Sequence, residues 1–132
     1  MIKLTEVKEG DIVIADFEGQ KRVGDVLEVS RGDKKALVAH GENEFWYDMT
    51  HIYAVPLEPE ILEELGFKKA EDQSNGLSYE RGPFTLQYIT TEKDIYNLLH
   101  YRDETRHVHN MQYLHQLQHH YKGMTNHELT WP

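Results

Sequence analysis

PLEPEILEELGF, residues 56–67, is the stretch on which the architecture turns. Glu58 stands at an N-cap position, Pro59 suits the first helical position, and acidic Glu60 favours a helix N-terminus. Ile61, Leu62 and Leu65 recur with helical spacing and make one apolar stripe. Gly66 sits where a left-handed C-cap belongs, and Phe67 is placed to pack back on Leu62 as in a Schellman end. The pattern predicts a two-turn helix over 59–65. It separates two β-rich parts, one covering residues 1–56 and the other 57–132.

Upstream, the chain alternates short apolar runs with turn residues. Residues 11–17 (DIVIADF) end at Glu18-Gly19, and 22–30 (RVGDVLEVS) end at Arg31-Gly32-Asp33. Residues 35–40 (KALVAH) and 44–49 (EFWYDM) are joined through Gly41-Glu42-Asn43, and 52–55 (IYAV) completes five strands. Turn signals at this close spacing point to a small barrel or a sandwich. Downstream, residues 67–71, 77–81 and 84–90 read as an antiparallel meander turning at Ser74-Asn75-Gly76 and Gly82-Pro83, while 94–101 fits either a strand or one to two helical turns, the strand being the preferred reading. The expected fold is therefore α+β: an N-terminal SH3-like five-stranded β-barrel, a linking helix, and a C-terminal β-meander packed by one terminal helix.

Composition narrows the function classes. The 132 residues carry a formal charge of −9 and no cysteine, so disulfides, thiolate metal sites and thiol nucleophiles are absent. The charge is −4 over 1–56, −6 over 57–105 and +1 over 106–132. An acidic body without a basic stripe repels phosphate backbones, which argues against nucleic-acid binding. No apolar run approaches the roughly 18–20 residues of a membrane span, and the opening MIKLTEVKEGD lacks a signal-peptide core. The expectation is a cytoplasmic protein with no membrane partner.

Five of the nine histidines fall in HVHNMQYLHQLQHHYKG, residues 107–123. Laid out as a helix from residue 110 at about 100° per residue, Met111, Leu114, Leu117, Tyr121 and Met124 form an apolar stripe. Gln112, His115, Gln116 and His119 fall on the opposite, water-facing side, with His120 at the border beside Tyr113. His115 and His119 have the i, i+4 spacing that offers two imidazoles to one metal. With His107 and His109 they would suffice for Zn²⁺ or Ni²⁺ if all four converged, with Glu104 or Glu128 as further partners. HQLQH has the outline of the zinc-protease motif HExxH, but Gln116 replaces its general base and removes that chemistry. A proton-linked switch is a third reading, since the tail would turn cationic below a pH of about 6.5. An exposed polar helix face is the simplest, and it assigns no metal or cofactor.

Other features are less directive. Arg31-Gly32-Asp33 spells an adhesion tripeptide, yet turn chemistry accounts for it. Strand alternation sends Phe45 and Tyr47 to one side and Trp46 and Asp48 to the other, so one pair is core and the other exposed. Trp46 is expected on the exposed or interfacial side, where with Tyr53 it would contact a peptide or a methylated lysine, with core packing as the simpler reading of these aromatics. Lys34, Lys35, Arg81 and Arg102 would hold an anionic metabolite or nucleotide if they met in one cleft. No phosphate loop, nucleophile elbow or distinctive acid pair occurs, and no catalytic residue is assigned.

Two resemblances follow from these motifs. Gly10-Asp11 opening a strand, with Gly24 central in the next, is similar to the start of SH3-like, KOW-type barrels. Pro56, Leu57, Pro59, Glu60, Ile61, Leu62, Leu65, Gly66 and Phe67 match the "PLTPEILEKLGF" linker of a group of short Bacteroidetes and prophage proteins. His115, Gln116, Leu117, Gln118, Tyr121, Thr125, Glu128 and Leu129 match that group's "VHQLQNLYFALTGEEL" helix. His119, His120, Lys122 and Gly123 depart from it, and Met111 and Gln112 lie outside it. The resemblance implies a fold and a prophage or mobile-element setting, and no activity. The function expected is a non-enzymatic protein-interaction module, self-association included, using Trp46, Tyr53, Gln112, His115, Gln116 and His119. A small-ligand binder and a histidine metal protein are the alternatives.

Overall fold

The computed structural model describes residues 2–70 and 77–132. The first sheet contains β1 (Ile12–Phe17), β2 (Gln20–Ser30), β3 (Lys35–His40), β4 (Asn43–Asp48) and β5 (Ile52–Ala54), with a 3-10 turn at Met49–His51. All pairings are antiparallel in the order β4-β3-β2-β1-β5. β4 and β5 are thus opposite edges, and no closed barrel forms among the described residues. The second sheet contains β6 (Lys68–Ala70), β7 (Ser78–Arg81), β8 (Phe84–Thr90), β9 (Ile95–Tyr101) and β10 (Glu104–Val108), a meander in chain order. Among the described residues two helices complete the α+β fold, α1 (Pro59–Glu64) and α2 (Leu114–Thr125). No helix among the described residues is long and apolar enough to cross a membrane.

The linker forms as its chemistry dictates. Leu65 is the C-cap, Gly66 takes φ +91, the Phe67 N–H donates to Leu62 O and the Gly66 N–H to Glu63 O. That pair of bonds is the Schellman closure. Glu58 holds the N-cap position without capping through its side chain. Gly24 is required by close approach: a Cβ there would lie 2.5 Å from Ala39 O and 2.8 Å from His40 Nδ1. The bare backbone lets His40 bond Val23 O at 3.0 Å through Nδ1, so its Nε2 accepts from the Tyr47 hydroxyl at 2.9 Å.

Two cores meet across β1. Val13 and Ala15 face the core of the first sheet with Val7, Val26, Ala36, Val38, Tyr47 and Ile52. Ile12 and Ile14 face the other way, toward α1, α2 and the meander. Burial on both sides explains the near-continuous apolar run IVIA.

Three readings of the sequence need correction. The barrel is an open sheet. Glu104–Val108 is an additional strand, paired along its length with β9. The last helix begins at Leu114 rather than at residue 110, because residues 112–114 run beside the linker: Leu57 N–H donates to Gln112 O and Leu114 N–H to Val55 O. The turn read at Ser74-Asn75-Gly76 lies outside the described residues.

Candidate interaction surface

Half of the expected contact residues, His115, Gln116 and His119, lie on α2. Its apolar stripe is buried as the spacing requires, with Leu114, Leu117, Tyr121 and Met124 in the larger core. Two polar residues of α2 do not look out to water. His115 is 2% exposed and Gln118 4%. Gln118 Nε2 donates to Gly10 O at 2.8 Å and Leu129 O at 2.9 Å, while its Oε1 accepts from the Ile12 N–H at 2.8 Å. One amide therefore joins the helix, the start of β1 and the C-terminal segment. His119 Nε2 donates to Asp11 Oδ1 at 2.7 Å, and Asp11 Oδ2 accepts from the Lys8 N–H. The water-facing assignment of His115 is overturned, because the helix lies between the first sheet and the meander; His119 stays partly exposed, its side chain 30% open, while its Nε2 is held by Asp11.

Gln116 has a local role. Its Oε1 accepts from the N–H groups of Gln112 and Tyr113 at 2.9 and 3.0 Å, closing the helix start from the third helical position. Gln112 is exposed, with its carbonyl and N–H used in these backbone contacts. Burial pushes the pKa of His115 below the usual imidazole range, against a partial rescue by Asp11 and Glu6. Its Nε2 lies 3.8 Å from Glu6, its ring stacks on Tyr113 at 6.0 Å, and its Nδ1 has no hydrogen-bond partner among the described residues. His120 is also shifted down, by burial and then by the Arg106 guanidinium that donates to its Nδ1.

The remaining tail histidines are held elsewhere. His107 and His109 pack against Tyr96, and His109 bonds Asp94 at 2.8 Å. Among the described residues no three His, Asp or Glu side chains are placed to hold one metal ion, which overturns the four-histidine metal reading. The basic residues do not meet in one cleft either. Arg81 donates to Leu65 O and the Tyr121 hydroxyl, Arg102 lies over Tyr101, and Lys35 belongs to the first sheet. His119 and Asp11 form an oriented pair, but no nucleophilic side chain is hydrogen-bonded to His119 among the described residues.

The most exposed aromatics lie on the first sheet. Phe17 is 61% exposed, Phe45 50% and Trp46 48%. With Arg22 and Tyr47 they line a cleft of about 260 Å³ on the first sheet. Phe45 shares the inward side of β4 with buried Tyr47, yet lies far enough along the strand to reach the open end. Trp46 faces outward, opposite Leu37 of β3, and also lines a second cleft with Glu28, Ser30, Asp33 and Lys35. Trp46 is thus where the sequence placed it.

Tyr53 is apart from this cluster. It is half-buried on β5 under Lys21 Nζ at 5.6 Å, and lines a smaller cleft with Glu6, Tyr113 and His115. Phe17, Arg22 and Phe45 were not among the expected contacts. The signal for Phe17 was available: a large aromatic directly before the Glu18-Gly19 turn, where a strand has run out of core. No protein-family model matches this chain, and neither the curated proteins nor the solved structures contain a match.

Proposed function

We propose that this chain is a non-enzymatic protein-interaction module whose contact surface is the aromatic end of the first sheet. The observation that carries the reading is the grouping of Phe17, Phe45 and Trp46, all about half exposed or more, with Arg22 around one cleft. Contiguous exposed aromatic surface costs hydration free energy in the free chain and regains it when a partner covers it. Aromatic side chains and arginine are also the residues that carry most binding energy at interfaces. The acidic charge supports a protein partner over nucleic acid.

The order β5-β1-β2-β3-β4, with the 3-10 turn just before β5, supports an SH3-like reading of the first sheet, open between its two edges. The linker and helix motifs support a cytoplasmic accessory role in a prophage or mobile-element setting. Capture experiments test the function. Wild-type protein and a Phe17→Ser/Phe45→Ser/Trp46→Ser variant, matched for folding by circular dichroism, are compared as bait in lysate of the host strain. A protein retained by the wild type and lost with the variant is expected. Equal retention of every bound species by both baits would remove the aromatic end as the contact surface. Native mass spectrometry of the purified chain separates the small-ligand alternative, which requires a bound mass of a few hundred daltons.

A further inference from the structure

The four sheet edges differ in how they are protected. β5 and β6 are three residues long, and β6 carries Lys68 and Lys69. β10 carries Arg106, which is tied to Glu104 and to His120 of α2. Short strands, charge and covering elements are the usual ways a chain blocks edge pairing. β4 has none of the basic or proline residues that blunt an edge. It pairs in unbroken register with β3, from Lys35 opposite Asp48 to His40 opposite Asn43. Its other side presents the backbone of NEFWYD beside exposed aromatic rings.

We propose that β4 takes an extended, basic segment of a partner protein as an added strand, a refinement that rests on the interaction-module reading above. The charge pattern selects this occupant. Glu44 and Asp48 point to the outer face with Trp46 between them, and Glu28 and Asp33 line the adjoining outer cleft against the single base Lys35. Hydrogen bonds from Thr50 hold the Asp48 carboxyl below the usual carboxylate range, so it stays ionised. A lysine or arginine of the added strand that points outward meets carboxylates on both sides of an indole face. Neighbouring residues of that strand point inward, to the cleft of Phe17, Phe45 and Tyr47, where Arg22 repels a second base and favours an apolar side chain. The recognised segment therefore alternates basic and apolar residues. A second copy of this chain fits poorly, because pairing β4 with itself lines Glu42, Glu44 and Asp48 of both copies along one seam.

The test uses full-length protein and three synthetic ten-residue peptides: alternating Lys/Val, alternating Glu/Val, and Lys/Val with every second backbone nitrogen methylated. Binding is read from Trp fluorescence, and the site from hydrogen exchange of the β4 amides. The Lys/Val peptide is expected to bind and slow exchange across β4. The N-methylated peptide should bind at least tenfold more weakly, and the Glu/Val peptide should not bind. Glu44→Lys, an exposed substitution, should weaken the Lys/Val peptide at least tenfold and admit Glu/Val.

Equal binding of the N-methylated peptide would overturn strand addition while leaving the aromatic surface as an interaction site. Preference for Glu/Val by the wild type would overturn the basic partner. A concentration-dependent dimer with protected β4 amides and no peptide binding would assign the edge to a second copy. Absence of any binding at millimolar peptide overturns this inference, and the capture experiment then decides separately whether the interaction-module reading stands.

Discussion

On α2, His115 and Gln118 are polar residues turned away from water; on the first sheet, Phe17, Phe45 and Trp46 are aromatic residues turned toward it. Both regions invert what residue type alone suggests, and the reasons differ. Gln118 is buried because three backbone groups from distant parts of the chain engage both of its N–H donors and its carbonyl oxygen. A polar group so matched loses little on leaving water. The aromatics are exposed because the sheet ends before anything covers them. The contrast teaches that satisfied hydrogen bonding lets a polar side chain be buried, whereas uncovered apolarity is the feature on which the proposed contact surface rests.

Gln118→Leu should break the first half of the comparison most severely. It leaves the Ile12 N–H and two carbonyls without partners, and should cost about 3 kcal/mol or more in urea unfolding. A loss below 0.5 kcal/mol would mean that solvent reaches these groups. Asp11→Ala follows, removing the acceptor of His119 and of the Lys8 N–H, with an expected loss of about 1–3 kcal/mol.

A pH series sharpens the burial of His115. Its folded pKa is depressed, so below about 6.5 the unfolded chain takes up the proton that the folded chain resists. Stability is then full near pH 7.5 and declines as pH falls below 6.5, with His120 acting in the same direction. The decline is bounded by about 1.4 kcal/mol per pH unit for each proton. His115→Gln should flatten the thermal-stability profile between pH 7.5 and 5.5, and an unchanged slope would place the titration elsewhere. The smallest stability effect belongs to Trp46→Ser, within about 0.5 kcal/mol, since an uncovered side chain contributes little to the folded state. A loss of several kcal/mol would show Trp46 to be a packing residue and dissolve the contrast.

Much of the architecture was legible in order along the chain. The five strands of the first sheet are bounded by turns whose residues carry their own conformational signal, such as Glu18-Gly19, both at positive φ. The α1 end is similarly local, since every bond of the Schellman closure spans five residues or fewer. β10 was not legible: ETRHV has neither an apolar run nor clean alternation, and it is a strand because β9 offers it an edge. At the candidate site, Trp46 followed from strand alternation. Phe17 and Arg22 join it through the curvature of a sheet whose neighbours in space are far apart in sequence.

The amino-acid sequence alone determined the α+β class, the two β-rich parts, the linking helix and the apolar stripe of α2, because periodicity, capping and turn preference act over a few residues. Only the tertiary structure decided that the sheet stays open, that the polar side of α2 becomes a seam and that the aromatics cluster at one end. Each of these depends on which groups from remote segments arrive to cover a surface or satisfy a hydrogen bond, and no local pattern records that arrival.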